Sequence, residues 1–561
     1  MTLPPPTVLT RTVRYQADGG LLLEHLAGLG LVPTTQDPSG RARPVDTVLL
    51  ESVDIATKVS RTTIAVLEAS ARLTCRGQHV SVQALPTARA DGEAAVARLR
   101  QSLGSHLGPD DDARPDFLTL TFAPPTSHRQ AEERERLKAT SSIEPLRVLA
   151  RAEVDHPHLP LEAGVVAFDY LATFEDLPPV AQGVNTCPDY VFYDARIILV
   201  IDHPTREATL VGASVDPAGL RTRLDELASA IDAVDEAALD AAHTRSQAPL
   251  SPVVHAVPTQ SDDDFAAGVE QMKEAIAAGD VYQVVPSRGF AIPCPDALAA
   301  YHELREANPS PYMFYLATPG FELFGASPES ALLHSARTGE VSIRPIAGTR
   351  PRGLAADGSV DHERDTRLEL ELRTDAKEVA EHVMLVDLAR NDVARVSVPG
   401  TRRVVDLLRV DRYSRVMHLV SEVTGTLDPE LDALDAFRAS MTMGTLTGAP
   451  KLRAAELIRT AEGVRRGSYG GSVGYFRGDG ELDTCIVIRS AFVADGQALV
   501  QAGAGVVADS VPAKEAAETV HKASAVLHAV AAASGARLVI DSQAPSAPAT
   551  PVAPTATAQE A

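Results

Sequence analysis

Glu378-Val-Ala-Glu381-His-Val-Met-Leu-Val-Asp-Leu-Ala-Arg-Asn-Asp392 opens with two glutamates three residues apart in a predicted helix. Near the other end of the chain, Glu515-Ala-Ala-Glu518 repeats that spacing. Residues three apart share one helical face. Two carboxylates about 4 Å apart on a buried face would cost about 4 kcal/mol at an effective dielectric constant of about 20, whereas an exposed pair costs about 0.2–0.5 kcal/mol. The two pairs are therefore either solvated faces or, if buried, ligands for a cation.

Composition excludes several classes of protein. The 561 residues include 52 Lys and Arg against 75 Asp and Glu, a net charge of -23. Neither nucleic acid nor an anionic membrane is an expected partner, because both bind basic surfaces. No apolar run approaches the roughly 18 residues that span a bilayer, and the chain opens with Met1-Thr-Leu-Pro-Pro-Pro6 rather than a secretory signal. We expect a cytoplasmic protein with reduced cysteines.

Hydrophobic patterning and composition divide the chain into four parts. Residues 1–243 form an N-terminal region, in which short apolar runs between Thr47 and Leu85 predict an antiparallel sheet. Residues 244–263 are dense in Ser, Pro, Gln and Asp and are predicted to be a linker. Residues 264–535 form the second large unit. Residues 536–561, rich in Pro, Ala and Thr, are predicted to be a disordered tail.

Individual helices and strands are predicted from periodicity and from Gly and Pro positions. The helices are Leu220–Leu239, Phe265–Ala278 with a stop at Gly279, and Pro512–Ala533. Val281–Val285 is a predicted strand.

Two glycine-rich segments resemble nucleotide-binding motifs without their context. Gly503-Ala-Gly505-Val-Val-Ala508 matches a dinucleotide fingerprint, but Asp509-Ser-Val-Pro512 delays the following helix. The segment is then either a plain turn or a place where backbone N–H groups approach a carboxylate. Met443–Lys451 lacks the second glycine and the Ser or Thr of a P-loop. Nucleotide binding is therefore not predicted.

Four segments occur in the order and spacing of the chorismate-utilising enzymes: Pro345–Arg350, Glu381–Asp392, Gly444–Lys451 and Gly503–Gly505. The chain from about Asp264 to Ala533 resembles that family. The resemblance implies an α+β fold in which antiparallel sheets are flanked by helices, preceded by a regulatory N-terminal half.

The resemblance also implies a site. A Mg²⁺ ion, held by Glu381 and Glu518 with Glu378 and Glu515 nearby or reaching it through water, would bind the ring carboxylate of chorismate, since Mg²⁺ prefers carboxylate oxygen. The implied substrate contacts are Gly348, Thr349, Tyr469, Arg489, Gly503, Ala504, Gly505 and Lys522. Arg489 can bind a second carboxylate through two hydrogen bonds.

The implied catalytic residues are Glu329, His418 and Thr445. Glu329 corresponds to the acid that protonates the leaving hydroxyl, and His418 to the group that transfers a proton during loss of pyruvate. Without the resemblance, a histidine among apolar residues such as His418 is more often a structural group.

Three positions select among members of the family. Ala347 stands where aminodeoxychorismate synthases of the common type carry a nucleophilic lysine. Gln283 stands where isochorismate and salicylate synthases carry a water-activating lysine. Thr445 resembles the anthranilate-forming members. The predicted reaction converts chorismate and ammonia into anthranilate and pyruvate through aminodeoxyisochorismate, the first committed step of tryptophan synthesis. The alternatives are an aminodeoxychorismate or isochorismate/salicylate synthase and a non-enzymatic tryptophan-sensing scaffold.

The resemblance finally implies a partner and an inhibitor. None of the four cysteines lies in a G-x-C-x-G setting, so a separate glutamine amidotransferase small subunit would supply ammonia within a heterotetramer. Leu49–Ser52 resembles a tryptophan-binding segment, and Asn308–Phe314 its counterpart. Feedback inhibition by tryptophan is therefore predicted at Ser52, Pro311, Tyr312 and Met313.

Overall fold

Strands dominate the structure. A computed structural model describes residues 5–37, 40–54, 60–108, 113–124, 133–151, 154–235, 252–355, 359–413 and 416–544. The strands within these ranges are β1 Thr7–Val13, β2 Thr34–Gln36, β3 Ala42–Pro44, β4 Thr47–Val53, β5 Ser60–Arg76, β6 His79–Ala84, β7 Phe117–Thr121, β8 Leu161–Val166, β9 Tyr190–Asp202, β10 Glu207–Ser214, β11 Val253–Pro258, β12 Gln283–Val284, β13 Ser287–Pro293, β14 Tyr312–Thr318, β15 Phe321–Ser327, β16 Ser330–Ser335, β17 Glu340–Ile343, β18 Ile346–Pro351, β19 Arg403–Arg412, β20 Val416–Thr426, β21 Gly448–Ala449, β22 Ser472–Arg477, β23 Leu482–Ile486, β24 Ser490–Ala494, β25 Gln497–Gly503 and β26 Arg537–Ile540.

Helices flank the strands. They are α1 Gly19–Gly28, α2 Arg89–Ser102, α3 Glu133–Lys138, α4 Glu144–Ala150, α5 Pro217–Asp232, α6 Asp262–Ala277, α7 Ala297–Ala307, α8 His362–Thr374, α9 Ala376–Val396, α10 Ala433–Ser440, α11 Lys451–Glu462 and α12 Pro512–Ala533. In the described part of the chain, no helix is both long enough and apolar enough to cross a membrane.

Strands from the two predicted halves pair with each other. β4 pairs with β14, placing Leu49 opposite Tyr315, and β8 pairs with β22. Twenty-two strands join one hydrogen-bonded network, and the pairings are antiparallel except for β11 with β26. One of the buried hydrophobic clusters contains Leu49 from the first half together with Phe290 and Leu527 from the second. The predicted α+β class with antiparallel sheets is confirmed.

The linker and tail predictions need correction where the chain is described. Val253–Pro258 is strand β11, and Arg537–Ile540 is the parallel strand β26 beside it. Each strand is a short apolar run flanked by Ser, Pro or Gly, so composition averaged over a longer window concealed it. Helix α6 also begins inside the predicted linker, at Asp262, while residues 244–251 and 545–561 lie outside the described residues. The division at residue 264 stays a prediction.

Smaller differences concern element ends. The helix predicted over Leu220–Leu239 is α5, which ends at Asp232, while residues 236–239 lie outside the described residues. The strand predicted over Val281–Val285 is reduced to β12, which pairs with β21. α12 has the predicted bounds, Pro512–Ala533.

Local sequence explains the two helices that carry the glutamate pairs. α9 begins after Asp375, whose side chain accepts hydrogen bonds from the backbone N–H groups of Lys377 and Glu378. Its apolar face packs on β20 and β18. α12 begins with Pro512. Proline is tolerated there because the backbone N–H that it lacks would have no hydrogen-bond partner in the first turn of a helix. The helix packs against α6, α7 and β25.

Candidate active site

The acidic faces of α9 and α12 approach each other. Burial raises the pKa of Glu381, and the negative charges of Glu378 and Glu515 raise it further, while Lys377 opposes the shift. Glu381 on α9 is therefore close enough to Glu515 on α12 for their charges to interact. Sequence spacing could predict each pair but not this approach, which depends on how the sheets place the two helices.

The four carboxylates have different surroundings. Glu378 Oε1 accepts a hydrogen bond of 2.9 Å from Arg350 Nη1. Burial opposes ionisation of Glu518, but an ion pair of 2.7 Å with Lys522 Nζ outweighs it, and the pKa of Glu518 is lowered. Burial raises the pKa of its neighbour Glu515, and the charge of Glu518 adds to the shift. The pKa values of these neighbouring carboxyl groups are therefore shifted in different directions by burial and by their partners.

These residues fit a hard divalent cation that would be completed by other ligands. In the described ranges, no group of three or more His, Cys, Asp or Glu side chains is placed to hold a metal ion. Glu381 Oε1, however, is buried without a hydrogen-bond partner, and Lys377 Nζ lies 3.6 Å away. An orphaned carboxylate oxygen beside other glutamates suits Mg²⁺, which keeps several waters and commonly shares substrate oxygens.

Lys377 is a residue that the sequence analysis missed. Its positive charge acts to lower the pKa values of Glu381, Glu515 and Glu518, against the upward effect of burial. Its amine is therefore near carboxylates of both helices. A sequence signal was present, because Ala-Lys-Glu-x-Ala-Glu occurs twice, at 376–381 and at 513–518. The repeat marks both lysines, but only the fold distinguishes them.

Arg489 is positioned to bind an anion. Its backbone is left-handed, with φ of 52°, which is unusual for a residue with a side chain. Nη1 donates a 3.2 Å hydrogen bond to the Lys522 carbonyl. Burial lowers the pKa of Arg489, and the charges of Tyr469 and Glu518 oppose that shift. Among the described residues, the Arg489 guanidinium forms no ion pair with a carboxylate. The guanidinium therefore retains donors for a bound carboxylate.

The Gly503–Gly505 segment lines the same region. Gly503 ends β25, and its carbonyl accepts a 2.9 Å hydrogen bond from Lys522 Nζ. A Cβ on Gly503 would lie 2.7 Å from the Pro286 carbonyl oxygen and 3.0 Å from the Tyr469 hydroxyl. Burial raises the pKa of Tyr469 to about 12. Close approach of these groups requires glycine at position 503, while the approach of backbone N–H groups to a substrate carboxylate stays a prediction.

Glu329 is a buried carboxyl between β15 and β16. Burial raises its pKa to about 8, although the Thr445 hydroxyl, the Ile346 backbone and the Lys522 charge each lower it. Thr445 lies in the short helical turn Gly444–Leu446. At neutral pH, Glu329 therefore carries a proton that it can donate.

His418 on β20 is the residue predicted to act as the base. Burial lowers its pKa to about 4, and the Arg489 and Lys522 charges contribute to the shift. Nδ1 lies 2.9 Å from Thr349 Oγ1 and 3.3 Å from the Gly348 carbonyl oxygen. A proton on Nδ1 directed at these oxygens leaves Nε2 as the basic nitrogen.

Two further predicted positions lie near this region. Ala347 is on β18, opposite Leu419 of β20. Gln283 Oε1 is buried without a hydrogen-bond partner, and a Cβ on Gly505 would lie 2.7 Å from Gln283 Nε2. The fold therefore brings Gln283 to the same strand end as the Gly503–Gly505 segment.

The predicted inhibitor residues lie together on β4 and β14. Glu51 is opposite Met313, and the Val53 N–H donates a 3.4 Å hydrogen bond to the Pro311 carbonyl. Ser52 Oγ accepts a 3.2 Å hydrogen bond from the Thr62 N–H. Segments 260 residues apart in sequence are thus adjacent in space.

Comparison with known proteins gives a consistent result. The family model described as chorismate binding enzyme matches residues 111–528 and so begins within the segment predicted to be regulatory. The chain is 47% identical to anthranilate synthase component 1 of Vibrio parahaemolyticus, over 90% of this chain and 92% of that protein. It is 48% identical to the protein of the same name from Escherichia coli, over 87% and 92%. The crystal structure of anthranilate synthase component I from Streptococcus pneumoniae superposes with a TM-score of 0.63 at 26% identity, covering 85% and 94%.

Proposed function

We propose, since this chain belongs to the family of chorismate binding enzymes, that it converts chorismate and ammonia into anthranilate and pyruvate. Relatives that are 47% and 48% identical to it are named anthranilate synthase component 1, and the match covers most of both chains. Ala347 and Gln283 favour ammonia over a lysine or an activated water as the nucleophile.

One observation carries this proposal: the same region holds a protonated acid and a neutral base. The pKa of Glu329 is raised to about 8 and that of His418 is lowered to about 4. Two titratable groups whose surroundings separate their pKa values in this way are suited to acid and base roles near pH 7. The charge of Lys522 acts on both, so the two groups belong to one site.

The reaction requires these two proton transfers. Ammonia adds to C2 of the ring, and Glu329 protonates the hydroxyl that leaves C4 as water. His418 Nε2 then removes the C2 proton while the C3–O bond breaks, the ring becomes aromatic, and the enolpyruvyl group departs and takes up a proton to become pyruvate. The buried Thr445 hydroxyl lowers the pKa of Glu329 and so favours the carboxylate that this transfer leaves behind.

Substrate binding uses fixed donors at the strand ends. Arg489 binds one carboxylate of chorismate, while Tyr469, Thr349 and the Gly503–Gly505 backbone shape the pocket around the ring. Lys522 holds Glu518 and the Gly503 carbonyl at 2.7 and 2.9 Å and so orients both sides of the pocket. A Mg²⁺ ion held by Glu381 and Glu518, with Glu378 and Glu515 nearby, would neutralise and orient the ring carboxylate.

We further propose a partner and an inhibitor. The term component 1 in the names of the relatives supports a second subunit, which we take to be a glutamine amidotransferase that supplies ammonia. Tryptophan would bind at Ser52 and Pro311–Met313, which lie on paired strands. The cytoplasmic location stays a prediction from the sequence.

The deciding experiment is product identification. Purified protein with chorismate, Mg²⁺ and ammonium should form fluorescent anthranilate, and Arg489→Lys should raise KM for chorismate by about 10- to 100-fold, because hydrogen bonds to charged groups contribute about 1.5–3 kcal/mol. Isochorismate, salicylate or aminodeoxychorismate as the product would support the alternative enzymes. Absence of any turnover would leave the tryptophan-sensing scaffold.

A further inference from the structure

Arg466 is a buried arginine paired with a glutamate at the end of α11. Its side chain is 2% exposed, and it stands four residues after Glu462, the last residue of that helix. Arg466 Nε donates a 2.8 Å hydrogen bond to Glu462 Oε2, and Nη2 donates a 2.6 Å hydrogen bond to Glu462 Oε1. The ion pair is therefore bidentate, which fixes the plane of the guanidinium.

The same guanidinium also donates to two backbone carbonyls. Nη1 donates a 2.9 Å hydrogen bond to the Leu446 carbonyl, and Nη2 donates a 2.6 Å hydrogen bond to the Val285 carbonyl. Leu446 ends the short helical turn that contains Thr445, and Val285 directly follows strand β12, which begins with Gln283. Arg466 thus joins the segment of a predicted catalytic residue to that of a predicted selecting position.

An aromatic ring of the candidate active site lies against the guanidinium. Arg466 Cζ is 5.6 Å from the centre of the Tyr469 ring and 4.6 Å from the centre of the Phe168 ring. Tyr469 is a predicted substrate contact, and a Cβ on Gly503 would lie 3.0 Å from its hydroxyl. A guanidinium is attracted to the face of an aromatic ring. Arg466 therefore favours one position of the Tyr469 ring.

Glu462 extends the contacts to a further segment. Glu462 Oε1 accepts hydrogen bonds of 2.8 Å from the Ser287 N–H and 3.0 Å from the Ser287 hydroxyl. Ser287 begins β13 and is opposite Gly503 at the end of β25. The Arg466–Glu462 ion pair therefore contacts segments that carry four positions singled out in the sequence, Gln283, Thr445, Tyr469 and Gly503, although they come from distant parts of the chain.

Stability alone is a weak explanation for this arrangement. Removing two charges from water offsets much of their mutual attraction, so a buried ion pair adds little net stability compared with apolar packing. What distinguishes arginine here is its rigid planar set of donors, which reaches a carboxylate and two carbonyls together. A lysine ammonium is a point charge without that geometry.

We propose that Arg466 is a positioning residue for the conversion of chorismate into anthranilate, which fixes the Thr445 turn, the end of β12 and the Tyr469 ring relative to one another without contacting the substrate. This inference rests on the proposed function. Its physical basis is preorganisation: side chains that act together must be held in one geometry before the substrate binds.

The test compares Arg466→Lys with a matched control in the full chain. Lysine keeps the charge beside Glu462 but loses the planar contacts with the two carbonyls. With chorismate, Mg²⁺ and ammonium, Arg466→Lys should lower kcat by about 10- to 100-fold, because a displacement of about 1 Å can cost that much. Arg196→Lys is the control, since Arg196 is a buried arginine 2.6 Å from both Glu68 and Asp91, and it should leave kcat unchanged.

The pH profile supplies a readout that a loss of stability would not change. Thr445 lowers the pKa of Glu329, which is about 8, so displacement of its turn should move the alkaline limb of kcat/KM to higher pH. Circular dichroism and thermal unfolding identify the temperature range in which both variants are folded. Unchanged kcat and an unchanged alkaline limb in folded Arg466→Lys would overturn the inference and leave the proposed function intact.

Glu462→Asp provides a milder second variant. It keeps both charges but shortens the carboxylate side chain by one methylene group, so the guanidinium must move away from the Leu446 and Val285 carbonyls to keep the ion pair. The kcat and the alkaline limb should change in the same directions as in Arg466→Lys. If Arg466→Lys does not fold, normal values in Glu462→Asp would overturn the inference. Absence of anthranilate from the unmodified protein would overturn both the inference and the proposed function.

Discussion

Thr349 Oγ1 lies 2.9 Å from Nδ1 of His418, on the neighbouring strand of the sheet. The hydroxyl and the adjacent Gly348 carbonyl face the same nitrogen. Together they hold the imidazole with Nε2 directed away from β18. The basic atom is therefore oriented by a side chain that need not itself transfer a proton.

Removing this hydroxyl should slow the reaction. Thr349→Val should lower kcat by about 2- to 12-fold, the effect of losing a hydrogen bond worth about 0.5–1.5 kcal/mol. Thr349→Ser keeps the oxygen and serves as the matched control. Steady-state kinetics with chorismate and ammonium measure both. A fall in kcat of the same size for the serine variant would contradict an orienting role for the hydroxyl.

The pH dependence of kcat/KM should be bell-shaped. His418 must be neutral, and its pKa of about 4 places the acid limb there, because protonation removes the base. Glu329 must be protonated, and its pKa of about 8 places the alkaline limb there, because burial disfavours the carboxylate and rising pH removes the proton.

The alkaline limb can be assigned by substitution. Glu329→Gln should lower kcat by about 10²–10⁴-fold, since an amide cannot act as a general acid, and the remaining activity should no longer fall above pH 8. A pH–rate profile of the purified variant measures this. An unchanged alkaline limb would assign that ionisation to another group.

The backbone approach at the end of β25 should tolerate no added methyl group. In Gly503→Ala, the Cβ would lie 2.7 Å from the Pro286 carbonyl oxygen, so the strands must separate, at a cost of about 1–3 kcal/mol in the free energy of unfolding. Gly268→Ala is the control, because no atom lies within 4 Å of that Cβ in helix α6, and it should stabilise the helix by up to about 1 kcal/mol. Urea denaturation compares the two. Equal changes would show that the contact is not restrictive.

A second buried carboxyl pair lies away from the candidate active site. Glu162 on β8 is opposite Asp194 on β9, and both Glu162 carboxyl oxygens are buried without a hydrogen-bond partner. Burial raises the pKa of Glu162, and the charge of Asp194 adds to the shift. A raised folded-state pKa stabilises the fold below the unfolded-state value, and that stabilisation is lost as the pH rises through the folded-state value.

Replacing Glu162 should therefore stabilise the protein under alkaline conditions. Glu162→Gln should have a higher free energy of unfolding than the unmodified protein at alkaline pH, with little difference at acid pH, because the amide has no proton to lose as the pH rises. The exposed Glu207→Gln is the matched control. Urea denaturation at several pH values is the measurement. A difference that does not depend on pH would indicate that Glu162 does not titrate in this range.

Local sequence was sufficient for several elements of the fold. The bounds of α12 follow from Pro512 and from an apolar stripe with helical period. The strands between Thr47 and Leu85 follow from short apolar runs. The linker prediction was wrong for β11, because a strand this short depends on its pairing with β26. That pairing joins residues at distant positions in the chain.

By itself, the sequence determined the inventory of chemical groups: two glutamate pairs, an isolated arginine, a candidate acid and a candidate base, in an order that resembles chorismate-utilising enzymes. The tertiary structure decided which of them interact. The structure gives Lys377 an ion pair of 3.6 Å with Glu381, whereas Lys514, its counterpart in the repeated segment, is exposed with no such ion pair among the described residues. Burial is the largest cause that separates the pKa values of Glu329 and His418. The reason is that charge interactions and desolvation depend on distance through space and on exclusion of water, neither of which local sequence specifies.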